Sequence, residues 1–220
     1  LLAHRSFKTY RPVEYFLSFL AVHAIQGPPI EWVSNHRASA GYLESLTLTP
    51  PHPPGTTTCT ADVERSFLDR ANARDLSAQA FYRLMEATWV HQAVARYALT
   101  FAVAGYPGIV WSMAFPTFIG WHETFLVNSA AHMWGRQPWN TGDLSRNNWW
   151  VALISFGEGW HNSHHAFPSS AAHGLDPWEI DIVYTCIRIM AALGLAWDVK
   201  LPSKRDMERR RQPDGKQKAW

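Results

Sequence analysis

Residues 157–168 read GEGWHNSHHAFP and set His161, His164 and His165 within five positions, beside a tryptophan and a phenylalanine. On a helix, positions i, i+3 and i+4 share a face, so these three imidazoles can point at one place. Neutral imidazole ligates Zn, Cu, Fe or Ni, and three from one turn supply most of a coordination sphere. A single histidine on a helix is ordinarily a satisfied core or surface residue. Three at this spacing point to a metal, although the spacing does not choose which one. Further imidazoles stand elsewhere: His132 in NSAAH, with Asn128 one turn earlier on the same face, His36 in WVSNHR, and His4 in LLAHRSFK. Each flanks an apolar segment, so a chain folded against a bilayer can return all of them to one membrane surface. Imidazoles gathered without thiolates or many carboxylates favour a redox metal over structural zinc.

The elements that must position these residues can be read from the apolar pattern. Tyr15 to Ile25 is an apolar stretch closed by Gly27-Pro28-Pro29. It falls short of the ~20 residues that cross a hydrocarbon core and fits a buried or interfacial helix. From Ala38 to Thr60 the chain becomes rich in Thr, Pro and Gly without a helical or strand period, which predicts a loop or disordered insert. Asp75 is placed to cap a helix running through Phe81, Leu84, Met85 and Thr88. Trp89 to Val127 is the most apolar region, and Gly105-Tyr106-Pro107-Gly108 divides it into the two arms of a helical hairpin. The arm Ile109 to Val127 is long enough to span a bilayer, so a membrane hairpin over 89–127 is preferred to a buried soluble one. A last helix is expected from Trp178 to Leu195, followed by a basic tail over 204–220.

The bulk numbers narrow the class. A net charge of +2 with 17% charged residues carries no nucleic-acid signature. Cys59 and Cys186 make neither a disulfide framework nor a CxxC pair, which is the pattern of a reducing compartment. Twelve tryptophans and eleven histidines are many for a soluble domain, and tryptophan concentrates where a ring is apolar at one end and wet at the other. A mean hydropathy of −0.21 nevertheless places much of the chain in water, beside the membrane. The first residue is Leu1 rather than methionine, so the chain is expected to be a fragment of a longer protein.

Several of these segments carry a resemblance. HRSFK at 4–8, EWVSNHR at 31–37, FLVNSAAHMWG at 125–135, QPWNTGDLSRNNWWVALISFGEGWHNSHHAFPSSAAHGL at 137–175 and ALGLAWDVKLPS at 192–203 are similar to the membrane fatty acyl desaturases. The similarity is to the acyl-CoA Δ9 type, in its plant, algal or cyanobacterial branch. It implies an all-α, helical integral membrane protein whose cytosolic histidine-rich cap holds two irons, here lacking the first membrane helices. Residues 1–203 would be a partial desaturase domain. By the same resemblance His132, His161, His164 and His165 fall on iron ligands, and Asn128 falls on an asparagine that reaches one iron through water. His36 matches the first histidine of an HRxHH box, and His4 the second histidine of an HxxxxH box. The pattern departs at Ser39 and Ala40, where a histidine pair is expected, and the unlike stretch 38–68 reads as a frameshifted or mis-spliced segment between good matches.

The implied reaction is O2-dependent desaturation: two hydrogens leave adjacent methylenes of a long acyl chain, a cis double bond remains, and O2 is reduced to water. An unactivated C–H bond offers no acidic proton and no leaving group, so a metal must supply the hard chemistry while the protein supplies position. The implied partners are a fatty acyl-CoA or acyl-lipid and an electron donor, cytochrome b5 or ferredoxin. The implied location is the endoplasmic reticulum membrane, or a plastid or thylakoid membrane. Two other readings stand beside this one. A histidine-box hydroxylase shares the metal and the oxidant, and a catalytically inactive homologue that binds lipid or a partner fits Ser39 and Ala40.

Overall fold

The computed structural model describes the backbone of residues 1–48 and 70–213, and the side chains of 1–38 and 70–213. In chain order its elements are β1 (Lys8–Thr9), α1 (Arg11–Val22), α2 (Pro29–Leu48), a 3-10 turn (Arg70–Ala73), α3 (Arg74–Ser77), α4 (Ala80–Ile109), a π turn (Val110–Ala114) and α5 (Phe115–Asn128). There follow α6 (Ala130–Met133), α7 (Trp149–Ile154), α8 (His161–Ala166), α9 (Ile182–Ala192), β2 (Ala196–Trp197) and α10 (Lys204–Arg210). The chain divides into two compact units. Among the described residues, one comprises 1–10, 40–48 and 123–213, and the other 11–39 and 70–122.

The second of these units is helical. Pro29 opens α2, where its fixed φ suits a first helical position and its missing N–H costs nothing. The helix continues to Leu48, which corrects the expected loop from Ala38 at its near end; the remainder of that stretch, from residue 49, lies outside the described residues. Polar pairs tie α2 to the segment that follows it. Arg37 donates to both carboxylate oxygens of Asp75 at 2.7 and 2.9 Å, and Ser34 and Asn72 bond reciprocally. Asp75 is therefore an ion-pair partner inside α3 rather than the expected helix cap. Tyr82, fully buried on α4, donates to Glu14 of α1 at 2.6 Å, and Tyr15 of α1 stacks on Phe81 of α4 at 4.1 Å.

The apolar region folds back on itself. Gly105 takes φ 60° and ψ −159°, a conformation that breaks the helix and that a side chain would strain. Beyond it, Thr100 Oγ1 lies 3.4 Å from Met113 Sδ. Thirteen residues of straight helix would separate those groups by roughly 20 Å, so the chain doubles back and forms a helical hairpin. The run Ala80–Met133 is apolar and long enough to cross a membrane, and only 6% of its most apolar window is buried. Val103 is 80% exposed and Trp111 68%.

The other unit is built around short elements with side-chain caps. β1 and β2 pair antiparallel, with Lys8 opposite Trp197 and Thr9 opposite Ala196. Phe7, Ala171, Ile187 and Ala196 close a small core beneath them, which anchors the segment carrying His4. Asn148 caps α7 by accepting from Val151 N at 3.2 Å, and Asp181 caps α9 by accepting from Tyr184 N at 2.7 Å. The last long helix thus starts at Ile182, not at the expected Trp178, because Glu179 and Asp181 spend their carboxylates on backbone N–H groups of the preceding loop. The basic tail begins as α10, capped by Ser203. Met207 packs on the cluster of Trp139, Ala166 and Phe167, and the Arg211 guanidinium sits 5.2 Å above the Trp139 ring.

Candidate metal centre

Helix α8 carries two kinds of residue. Asn162 and Ser163 are fully buried and bind the loop that runs from Trp139 to Asn148. Asn162 Oδ1 accepts from Trp139 N at 2.8 Å, and its amide donates to Trp139 O and Thr141 Oγ1, both at 3.2 Å. Ser163 N donates to Asn147 Oδ1 at 3.0 Å, while its hydroxyl accepts from Trp139 Nε1 and Asn147 Nδ2, both at 2.9 Å. Asn147 Nδ2 also reaches Glu179 Oε1 at 3.0 Å. A six-residue helix is too short to hold itself in register, and these bonds hold it instead.

The segment before α8 fixes where it starts. A Cβ on Gly159 would lie 2.1 Å from Ala152 N and 2.6 Å from Ala152 Cα, so only glycine lets the strand of chain entering α8 pass against α7. Asn148 N donates to Gly159 O at 2.8 Å across that contact. Trp160 then closes the turn, donating from Nε1 to Ile180 O at 2.8 Å and meeting Trp178 edge to face at 5.3 Å.

The histidines of α8 do not converge on a single point. His161 and His165 are gathered with His132 of α6: ring centroids lie 4.2 Å (161–165), 4.7 Å (132–161) and 5.6 Å (132–165) apart, and one nitrogen from each lies within 4.8 Å of the others. His164 turns away, toward His4 at 5.1 Å and His173 at 4.5 Å. The reason is angular. At about 100° per residue, His161 and His165 are roughly 40° apart, whereas His164 and His165 diverge by roughly 100°. His36, on α2 in the other unit, stacks on Trp32 with ring centroids 4.9 Å apart. Asn128 ends α5 and donates its amide back to Thr124 O at 2.9 Å.

His161 bears on whether this trio suits a metal. It is 7% exposed, and neither ring nitrogen finds a hydrogen-bond partner among the described residues. Leaving a buried donor or acceptor unpaired costs ~1–3 kcal/mol, which a metal bond would relieve. Burial, reinforced by the neighbouring His165, His132 and His173, holds the His161 pKa well below its ordinary value, so the ring is neutral, the form that ligates. His165 is oriented from behind: Nδ1 lies 2.7 Å from Asp143 Oδ2, both side chains nearly buried, which leaves Nε2 for the trio. Burial pushes the Asp143 carboxyl up, but hydrogen bonds from His165 and Ser145 outweigh it and keep the group well below the usual carboxylate range. Three clustered imidazoles, one buried with both nitrogens orphaned and one backed by a carboxylate, fit a transition metal such as iron.

Asp143, Asn147, Asn162, Ser163 and Glu179 were not singled out by spacing, because their partners are distant in sequence. The signal available was the polar filling of HNSHH itself: Asn and Ser inside an apolar-flanked helix need partners.

Comparison with known proteins agrees with this chemistry. A family model for fatty acid desaturase matches residues 58–180. The chain is 44% identical over 212 residues to an acyl-CoA C20 Δ5-desaturase of Anemone leveillei, covering 92% of this chain and 67% of that protein. It is 42% identical over 217 residues to a chloroplastic palmitoyl-monogalactosyldiacylglycerol Δ7 desaturase of Arabidopsis thaliana, covering 94% and 58%. It is 40% identical over 219 residues to Δ9 acyl-lipid desaturase 2 of Arabidopsis thaliana, covering 96% and 70%. The chain thus spans between 58% and 70% of the length of these three relatives. With the match extending over more than half of its residues, the chain belongs to the fatty acid desaturase family.

Proposed function

We propose that this chain forms the histidine-rich part of a membrane-bound, O2-dependent fatty acyl desaturase that uses two irons. The observation that carries the proposal is the trio His132, His161 and His165, in which the buried His161 has no partner for either nitrogen among the described residues. Iron bound there would supply, with O2, the oxidising power to take two hydrogens from adjacent methylenes. Two electrons and two protons complete the reduction of O2 to two waters. The chain's own contribution is placement: Asp143 fixes the His165 ring, Asn162 and Ser163 lock α8, and burial keeps His161 neutral. His4, His36 and His164 are proposed as further ligands and Asn128 as a ligand through water, on the strength of the histidine-box resemblance.

The substrate proposed is a long-chain acyl group, desaturated in a Δ9-like position. The names of relatives at similar identity place the bond at Δ5, Δ7 or Δ9, on acyl-CoA or on acyl-lipid. Electrons would come from cytochrome b5 in the endoplasmic reticulum, or from ferredoxin if the membrane is that of a plastid. The test is fatty acid profiling of a desaturase-deficient yeast that expresses the gene. New monounsaturated acyl chains that disappear in His161→Ala support the proposal. Hydroxylated chains would assign a hydroxylase instead. Stable protein with neither product nor iron would assign an inactive lipid-binding homologue, the reading that Ser39 and Ala40 favour.

A further inference from the structure

His173 is given no role by the histidine-box resemblance, yet it is held beside a histidine that is given one. Its ring lies 4.5 Å from that of His164 at an interplanar angle of 50°. Pairs inside the trio have similar ring geometry, 4.2 Å at 59° for His161–His165 and 4.7 Å at 71° for His132–His161. A surface histidine would be free to leave this arrangement, but His173 is not. Its backbone N donates to Asp181 Oδ2 at 2.7 Å, the N–H of Gly174 donates to the same oxygen at 3.1 Å, and its side chain is only 15% exposed. Asp181 is in turn fixed as the cap of α9.

A second feature gives the ring its orientation. His173 Nδ1 faces Glu158 Oε2 at 3.4 Å, close enough for that carboxylate to swing into a hydrogen bond of the kind His165 Nδ1 makes with Asp143 Oδ2 at 2.7 Å. A carboxylate on one nitrogen of a histidine sets its tautomer and raises the basicity of the other nitrogen, the usual arrangement around a ligating imidazole. Glu158 thus stands beside His173 at ion-pair distance, a looser and more exposed counterpart of the hydrogen-bonded Asp143–His165 pair.

We propose that His173 is an additional ligand of the metal held by His164, with Glu158 orienting its ring. The inference rests on the di-iron reading above and deepens it. Neither Ser39 nor Ala40 carries a ring nitrogen, so His173 supplies an imidazole that those positions do not.

The test is metal content of the full chain purified in detergent micelles and loaded anaerobically with Fe(II). The expected result is about two irons per chain in the wild type, about one in His173→Ala and in His164→Ala, and iron affinity weaker by roughly 10–100-fold in Glu158→Gln. Because a variant can lose metal by misfolding, the unmutated chain is also labelled with diethylpyrocarbonate and mapped by mass spectrometry. His173 should be modified in the metal-free chain and protected after loading, and it should stay protected in His132→Ala, where the other iron is lost. A His173→Ala chain that keeps both irons, or a His173 label unaffected by iron, overturns the inference and leaves the di-iron reading standing. A wild type that binds no iron overturns both.

Discussion

Asp143 shows how a group remote in sequence orients a proposed ligand, His165. It accepts from Thr141 Oγ1 and from Ser145 N, both at 2.8 Å, and also from the Ser145 hydroxyl, so its carboxylate is fixed before it meets His165. Asp143→Asn keeps the shape and can keep one acceptor, but it removes the charge that makes His165 Nε2 a good donor. The expected outcome is an unchanged melting temperature with iron affinity lower by roughly 10–100-fold, read by chelator competition. A change in melting temperature of the metal-free chain would show instead that Asp143 holds the loop. Glu179 offers a contrast that pH can reveal. Its two oxygens accept from Leu175 N, Asp176 N and Asn147 Nδ2, yet burial outweighs the hydrogen bonds and raises its pKa. With the folded value above the unfolded ~4.3, the native state binds more protons through that window, so stability falls as pH rises through it. The wild type should therefore gain stability relative to Glu179→Gln as pH is lowered from 7 toward 4, measured by unfolding of the metal-free chain. A difference between the two that stays constant with pH would refute this.

The histidine helix depends on a backbone contact that its side chains do not make. A Cβ added at Gly159 would fall 2.1 Å from Ala152 N, so alanine there must push α7 and α8 apart. Gly159→Ala is expected to cost more than ~3 kcal/mol and to strip iron from the trio, because the clash is with main chain that cannot rotate away. Gly120→Ala is the control: nothing lies within 4 Å of its added Cβ, and within helix α5 the change should be neutral or stabilising by up to ~1 kcal/mol. Calorimetry on both separates a steric role from a general loss of flexibility. The same helix marks what was legible in the sequence. Imidazoles at i, i+3 and i+4 led to the expectation of one shared point, whereas the structure sets His161 and His165 in one cluster and His164 in another. Their division into two directions was hidden because a shared face is about 100° wide, and over one turn that width separates His164 from His165. The loop partners of Asn162 and Ser163 were hidden for another reason: bonds across 16 to 23 residues leave no period to detect. Asp75 was misplaced because an acidic residue before a helical run suits a cap and an ion pair equally, and Arg37, 38 residues earlier, decided between them.

On the largest scale the chain poses a question of solvent. The hairpin leaves Leu99, Phe101, Val103, Trp111, Phe115 and Phe118 each at least half exposed, and monomeric soluble proteins rarely show apolar patches of that extent. In the histidine-bearing unit, Trp149, Leu153, Trp160, Trp178 and Ile180 line an apolar hollow of about 270 Å3, with Trp149 and Trp178 more than half exposed. Tryptophans whose rings are apolar and whose N–H groups can stay hydrated belong at the boundary between hydrocarbon and water. The hairpin and the hollow therefore make different demands of a bilayer, burial in the acyl region for the first and the interface for the second. Lipids brominated at defined depths quench tryptophan by contact and can tell these apart. In variants that retain a single tryptophan, Trp111 should be quenched most by bromines deep in the acyl chain, and Trp149 by bromines near the headgroup. Trp139, 3% exposed and roofed by Arg211, should be insensitive to both. Quenching of Trp111 no stronger than that of Trp139 would place the hairpin outside the hydrocarbon. It would also remove the physical ground for a histidine centre working on acyl chains drawn from a membrane.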